Sequence, residues 1–231
     1  MSAVFITGTD TGVGKTIVAG LLGRFLLNNG HRAITQKWIQ TGSDKFPEDI
    51  ARHLELMKKK KRDISDYLPY MSPYTFKFPA SGHLAARLEK KRVNKDRIKR
   101  SFLFLKDRFD FVIVEGMGGA LVPFNRRGLV IDIAKELNIP VLLVVANKLG
   151  CINHSLLTIE AIKRRGMKIV GIVFNNNQFG RKEDIISKDN PRIIKKLTGE
   201  KILGILPFSR DKELLYKRFI PMGKKVTWIT G

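Results

Sequence analysis

The segment 8-GTDTGVGKT-16 lies between an apolar run, Ala3–Thr7, and a helix-like run, Ile17–Leu27. Strand, glycine-rich turn and helix follow one another in the order a phosphate-binding loop requires. In such a loop, backbone N–H groups and the helix N-terminus present positive partial charge to phosphate oxygens. Lys15 reaches the terminal phosphates as a mobile point charge, and the Thr16 hydroxyl is placed to ligate magnesium. The register is unusual. With Gly14-Lys15-Thr16 aligned to the common pattern, its first glycine falls on Thr9 and Gly8 comes one residue early.

A loop of this kind demands a sheet behind it. Runs rich in Val and Ile recur at Val4–Thr7, Ala33–Lys37, Phe111–Glu115, Val141–Ala146, Ile169–Phe174 and Ile202–Leu206. They are nearly continuously apolar, as parallel strands covered on both faces are. Helical patterns separate them at Lys15–Leu27, Asp49–Lys58, Asn94–Arg108, Asn153–Arg165 and Lys182–Leu197. The alternation predicts a doubly wound, mainly parallel α/β sheet with its ligand along one edge. The 231 residues suit one such domain, 1–231, with the role of the tail Phe219–Gly231 open. Thr41–Gly82 is the least regular stretch, and its 72-SPYTFKFPAS-81 is read equally as a pocket cover or as core packing.

Composition narrows the function classes. No apolar stretch is long enough to span a bilayer. The chain enters its first strand directly, so no signal peptide is expected. A single cysteine, Cys151, excludes an intramolecular disulfide and fits a reducing, cytoplasmic setting. Four scattered histidines make no zinc-type cluster. The net charge of +22 invites a nucleic-acid reading. Yet the basic residues fall on separate segments, among them 58-KKKKR-62, 87-RLEKKRVNKDRIKR-100 and 163-KRR-165, without interleaved aromatics. Solvated helical faces account for them, and no specific nucleic-acid partner is expected.

Chemistry concentrates at the strand ends. The segment 110-DFVIVEG-116 is a buried strand ending in Glu115, an acid placed to bind magnesium or orient its water. The following 116-GMGG-119, with Gly116, Met117 and Gly118, lets the backbone approach phosphate or substrate. Lys37 ends the second strand on the same edge, where it can neutralise phosphoryl charge. The run 147-NKLG-150 has the start of a guanine-reading motif, but Gly150 stands where its aspartate would be. Asn175 opens 175-NNN-177 after the next strand, and its amide can both donate and accept. The segment 150-GCINHS-155 opens a helix whose free N–H groups suit a carboxylate. Cys151 has no His/Asp constellation for nucleophilic work, and His154 is read as structural.

Taken together, GTDTGVGKT, Lys37 with 41-TGS-43, 73-PYTF-76, EGMGG and 148-KLGCINH-154 resemble the dethiobiotin synthetase family from about Val4 through Pro207. The resemblance implies a phosphate-loop ATPase fold and an ATP- and magnesium-dependent closure of a cyclic urea on 7,8-diaminononanoate with carbon dioxide, in biotin synthesis. It implies a homodimer. It places ATP on Thr11, Gly12, Val13, Gly14, Lys15, Thr16 and Ile17, with Asp49, Glu115, Gly116, Met117 and Gly118 near the phosphates. Asn175 would read adenine, with Pro207 beside it. Magnesium would fall to Thr16, Glu115 and Asp49, with Asp44 a competitor for the last. Lys37 and Lys15 would be catalytic. The substrate would lie against Lys37, Thr41, Gly118, Gly150, Cys151 and Asn153, its acid end bound across the dimer interface. Position 12 is often glutamate in relatives, so any side-chain role there is absent or filled elsewhere. The rival reading is a partitioning-type DNA-binding ATPase switch. Such proteins carry a signature lysine where this chain has Asp10.

Overall fold

The computed structural model describes residues 2–176 and 185–230, with side chains through residue 226. Six strands form one parallel sheet: β1 (Ser2–Gly8), β2 (Ala33–Lys37), β5 (Phe111–Gly119), β6 (Val141–Ala146), β7 (Ile169–Asn175) and β8 (Ile202–Leu206). Their order is β2-β5-β1-β6-β7-β8, and every pairing is parallel. All six expected strands are present. With β5 on one side of β1 and β6 on the other, the order turns at β1, so the loop after β1 opens at the crevice where such sheets take ligands.

Alternation along each strand divides the core. Phe5, Val112 and Val114 face one layer with α5 (Lys95–Lys106) and α6 (Val130–Glu136). Val4, Ile6 and Ile113 face the other, with α1 (Lys15–Asn28) and α9 (Lys212–Thr230). A third cluster joins Leu143, Val145 and Phe174 to α7 (Cys151–Lys163) and α8 (Ile185–Thr198). The expected helix at Lys182–Leu197 is therefore found from Ile185 on, and its first residues lie outside the described ones. The helix expected from Asn153 starts two residues earlier, at Cys151.

The stretch from Thr41 to Gly82 is more ordered than its sequence suggests. It holds α2 (Glu48–Met57), a 3-10 turn (Lys61–Tyr67), α3 (Leu68–Met71) and β4 (Tyr74–Phe76). β4 pairs in parallel with β3 (Ile39–Thr41) as a separate two-stranded sheet, and α4 (Gly82–Leu88) follows. Tyr74 and Phe76 are buried in the main core, so this half of the segment is core packing, whereas Lys77, Phe78 and Pro79 are exposed. The tail from Phe219 continues α9. Phe219, Met222 and Val226 are buried, and Gly223 lets the helix press on the Phe25 ring. Arg24 of α1 grips Glu213 with both guanidinium nitrogens, at 2.9 and 2.7 Å, and lies 3.9 Å over the Tyr216 ring.

Helices α1 and α2 approach closely because Gly20 has no side chain. A Cβ there would stand 2.8 Å from Leu56 Cβ and 3.3 Å from the His53 backbone. Neither atom can rotate away. Gly20→Val is therefore expected to destabilise the fold by about 3 kcal/mol, the upper range of overpacking. A urea midpoint unchanged from wild type would show that α2 yields without cost.

Candidate active site

The C-terminal ends of the strands bring Gly8, Lys37, Glu115 and Asn175 to one edge. The loop after β1 turns through Gly14 at φ +104°, a left-handed position that also lies against Asn175. A Cβ on Gly14 would sit 2.2 Å from Asn175 Nδ2, so both the turn and the contact require glycine. Asn175 Nδ2 donates to the Val13 carbonyl at 2.9 Å, holding the loop from below. Gly12 is also left-handed and has open space where a Cβ would be. Lys15 folds back over the loop, and its Nζ donates to the Asp10 carbonyl at 2.8 Å. Burial lowers its pKa to about 8, aided by the neighbouring Lys37 charge and opposed by Glu115 and Asp49.

Beside the loop, four side chains from four elements converge. Lys37 Nζ, from β2, lies 2.7 Å from Glu115 Oε1 and 2.7 Å from Asp49 Oδ2. It also donates to the Gly116 carbonyl at 3.0 Å. Thr16 Oγ1, from the start of α1, lies 3.1 Å from Glu115 Oε1 and 3.2 Å from Asp49 Oδ1. Lys37 and Glu115 are only 5 % and 2 % exposed, so these charges meet with little water between them. Burial opposes the charge on both. The Glu115 and Asp49 carboxylates overcome it at Lys37 and raise its pKa. At Glu115, Lys37 and His53 overcome it and hold the carboxyl at about 2. A carboxylate held so low favours the folded state above its unfolded pKa, and that contribution fades as pH falls toward 2.

Local sequence explains the aim of each group. Gln36 and Trp38 bond to each other on one side of the chain, through Trp38 Nε1 to Gln36 Oε1 at 2.8 Å, and Trp38 stacks on Phe5. Lys37 between them points the opposite way. Asp49 sits in the first turn of α2, where its backbone N–H donates to Gln40 Oε1 at 3.3 Å. Asp44 is turned outward and pairs with Lys77, so Asp49 is the acid brought to the site.

Sequence reasoning missed His53. It stands one helical turn after Asp49 on the buried face of α2, and its Nε2 is 2.7 Å from Glu115 Oε2. An ionised carboxylate only accepts, so Nε2 carries the proton. Nδ1 has no hydrogen-bond partner among the described residues. The signal was available in 49-DIARHL-54, where the i, i+4 spacing puts both side chains on one face.

The donor set suits a hard divalent cation. A hydroxyl and two carboxylates supply oxygen only, the ligand type magnesium takes in company with phosphate oxygens and water. The Thr16 hydroxyl has one proton but faces two carboxylate oxygens, so one of those contacts is oxygen against oxygen. A cation would relieve it. Among the described residues, no group of three His, Cys, Asp or Glu side chains forms a metal cage, so the set is an open one.

The remaining expected residues line the surroundings. Thr11 lies against Gly118, whose φ is +58°, with Oγ1 3.5 Å from where a Cβ would be. Ile17 follows Thr16 in α1, half-buried against the core. Met117 packs on Gly82. Thr41 ends β3. Gly150, left-handed at φ +86°, precedes α7. The Cys151 amide is taken by the Lys148 carbonyl at 3.1 Å, leaving Ile152 and Asn153 as the outward-facing amides of that turn. Cys151 is buried, and burial raises its thiol pKa, which suits a packing role. Pro207 borders a cavity of about 410 Å³ with Asn176 and Phe208. Asn147 is spent on a side-chain network with Asn176 and Asn190.

This is the sheet order and loop of a P-loop nucleoside-triphosphatase-like fold. Solved structures of that class align over the whole chain. The MinD cell division protein of Aquifex aeolicus superposes with TM-score 0.61 at 14 % identity, covering 99 % of this chain and 98 % of that one. The pNOB8 ParA structure bound to nonspecific DNA gives 0.57 at 16 %, covering 99 % and 95 %. At such identity the likeness is one of fold. Sequence goes further: the profile of a family described as an AAA domain matches residues 2–213. ATP-dependent dethiobiotin synthetase of Chlorobaculum tepidum is 44 % identical over 170 residues, 74 % of this chain and 71 % of that protein. The Halalkalibacterium halodurans enzyme of the same name is 40 % identical over 213 residues, covering 90 % and 85 %. The chain belongs to the dethiobiotin synthetase family.

Proposed function

We propose that this chain, an ATP-dependent ligase by its family, makes dethiobiotin from 7,8-diaminononanoate, carbon dioxide and ATP. The observation that carries this reading is the Thr16–Lys37–Asp49–Glu115 cluster beside the phosphate loop, in a chain so closely related to enzymes of that name. One substrate amine adds to carbon dioxide and loses a proton, giving a carbamate. A carbamate oxygen attacks the γ-phosphorus and ADP leaves. The second amine attacks the carbamoyl carbon of the mixed anhydride, phosphate departs, and the five-membered urea closes.

Phosphoryl transfer of this kind asks mainly for positioning and charge neutralisation. Lys15 would follow the terminal phosphates as the loop amides hold them. Lys37 would meet the carbamate and the transferring group from the opposite side, fixed by Asp49 and Glu115. The same two acids and Thr16 would hold magnesium, which supplies charge neutralisation at the phosphates. Asn175 and Pro207 would border adenine. Thr41 and Gly118 would face the diamine, and the Gly150–Asn153 turn its carboxylate, across a homodimer interface. Among the described residues no helix is long and apolar enough to cross a membrane, and we place the enzyme in the cytoplasm.

Glu115→Gln is expected to raise the magnesium concentration needed for half-maximal rate at least tenfold, because it removes a hard anionic ligand. Asp49→Asn should shift it in the same direction. A titration with midpoint and maximum both unchanged would remove either acid from the metal site.

The rival is a DNA-dependent switch, which the fold alone would permit. Asp10 in place of the signature lysine speaks against it. ADP release measured with and without diamine, bicarbonate and duplex DNA separates the two. The ligase reading expects stimulation by diamine with bicarbonate and none by DNA at physiological salt, where non-specific contacts weaken. DNA-stimulated hydrolysis with no response to the diamine would overturn it.

A further inference from the structure

Sharing no residue with the phosphate loop, α4 and the segment after β5 line a half-open cavity of about 770 Å³. Its floor is apolar, made by Ala86, Val93 and Phe124, all buried. Its rim is cationic. Arg87, Lys90 and Arg92 come from the end of α4 and the turn beyond it, and Arg126 and Arg127 from the opposite wall. None of these five side chains has an ion-pair partner among the described residues. Elsewhere on the surface, Lys58, Lys95, Lys99, Lys163 and Arg165 each engage a carboxylate. Glu89, between Arg87 and Lys90 in the chain, is already held by Lys91 Nζ at 2.8 Å and the Lys77 N–H. Lys91 and His83 add to the lining, with His83 Nδ1 3.0 Å from Ser81 Oγ. No acidic residue lines the cavity.

Two local features shape the backbone that carries the cations. Lys90 adopts φ +53°, a left-handed conformation uncommon for a side-chain-bearing residue, as the chain turns off α4. Asn125 Oδ1 accepts the Arg127 N–H at 2.8 Å, fixing the turn that carries both arginines. Five unpaired positive groups around one concavity repel one another, and a bound anion removes that repulsion. Four arginines suit phosphate in particular, because a planar guanidinium meets two phosphate oxygens at once.

We propose that this cavity is a binding site for a small molecule carrying an oligophosphate group, separate from the phosphate loop. The volume lies within the range of small-ligand sites. The concave shape, and the burial of Phe124 away from any stacking position, favour a compact anion over a nucleic-acid strand, which would need exposed rings. The cavity shares no residue with the loop 8–16 or with Lys37, Asp49 and Glu115. The proposal therefore stands whether or not the ligase reading does.

The test is calorimetric titration of tripolyphosphate into the full chain at physiological salt, with the phosphate loop first saturated by a non-hydrolysable ATP analogue. Arg87→Ala/Arg126→Ala/Arg127→Ala is titrated alongside, with circular dichroism to verify its fold. The expected result is one tripolyphosphate per chain in the wild type, and at least tenfold weaker binding in the triple variant. Duplex DNA in place of tripolyphosphate should bind weakly, with no comparable loss on substitution. Failure of the loop-saturated wild type to bind tripolyphosphate, equal binding by the folded variant, or DNA as the ligand whose affinity the variant loses would each overturn the site.

Discussion

Lys15→Ala is expected to abolish detectable turnover and leave the fold intact. The ammonium is buried at the loop, where burial and the Lys37 charge have lowered its pKa to about 8. It rests on the Asp10 carbonyl, a neutral partner that a phosphate oxygen can displace. A preorganised charge at the transferring group is worth about 3–4 kcal/mol in the transition state, or 10²–10³ in rate. Loss of its ATP contact weakens binding as well, so kcat/KM falls further than kcat. Removing a partly desolvated lysine relieves strain rather than creating it, and the melting temperature should hold. A two- to threefold loss of rate would contradict the role.

Lys37→Gln should act differently. Lys37 ties together two acids from separate elements, at 2.7 Å from each. Without its charge, Glu115 and Asp49 repel each other in a site with little water, and breaking a buried pair costs about 3–5 kcal/mol. Both stability and chemistry should therefore fall, while ATP still binds through the loop and Lys15. The measurement is a single-turnover rate on folded protein, with ATP affinity determined separately. The expected outcome is a chemical step slower by about 10²–10³ and an ATP affinity within a fewfold of wild type. Equal single-turnover rates would remove Lys37 from the chemistry. Acidification probes the same cluster, because the stability held in ionised Glu115 is lost as pH falls from about 4 toward 2.

The strand tips were legible because parallel strands buried on both faces leave long apolar runs, and a charge ending such a run stands out. Glu115 and Lys37 are of that kind, and the loop is marked by its glycines. His53 shares a helix face with Asp49 by its i, i+4 spacing, but only the fold shows that this face is buried against Glu115. The choice between Asp44 and Asp49 depended on where α2 begins, which places one acid inward and the other against Lys77. β3 and β4 are three residues each, too short to show a period. Helix α9 is rich in lysine and contains Pro221, which masks an apolar stripe that only its packing on α1 reveals. Asn175 was placed at the right edge, but its grip on the loop through Val13 could not be read from the sequence, since the two are 162 positions apart.

The proposed chemistry has an isotopic signature. In the carbamate, both oxygens derive from carbon dioxide. One is phosphorylated and leaves with the phosphate, and the other remains in the urea. Turnover of ATP and 7,8-diaminononanoate with ¹³C,¹⁸O-labelled carbon dioxide, quenched before the label exchanges with water, should give a product carrying ¹³C in its new ring. The released phosphate should carry one ¹⁸O. ADP release with unlabelled phosphate would contradict the anhydride, and ADP release with no ¹³C product would contradict the ligase itself.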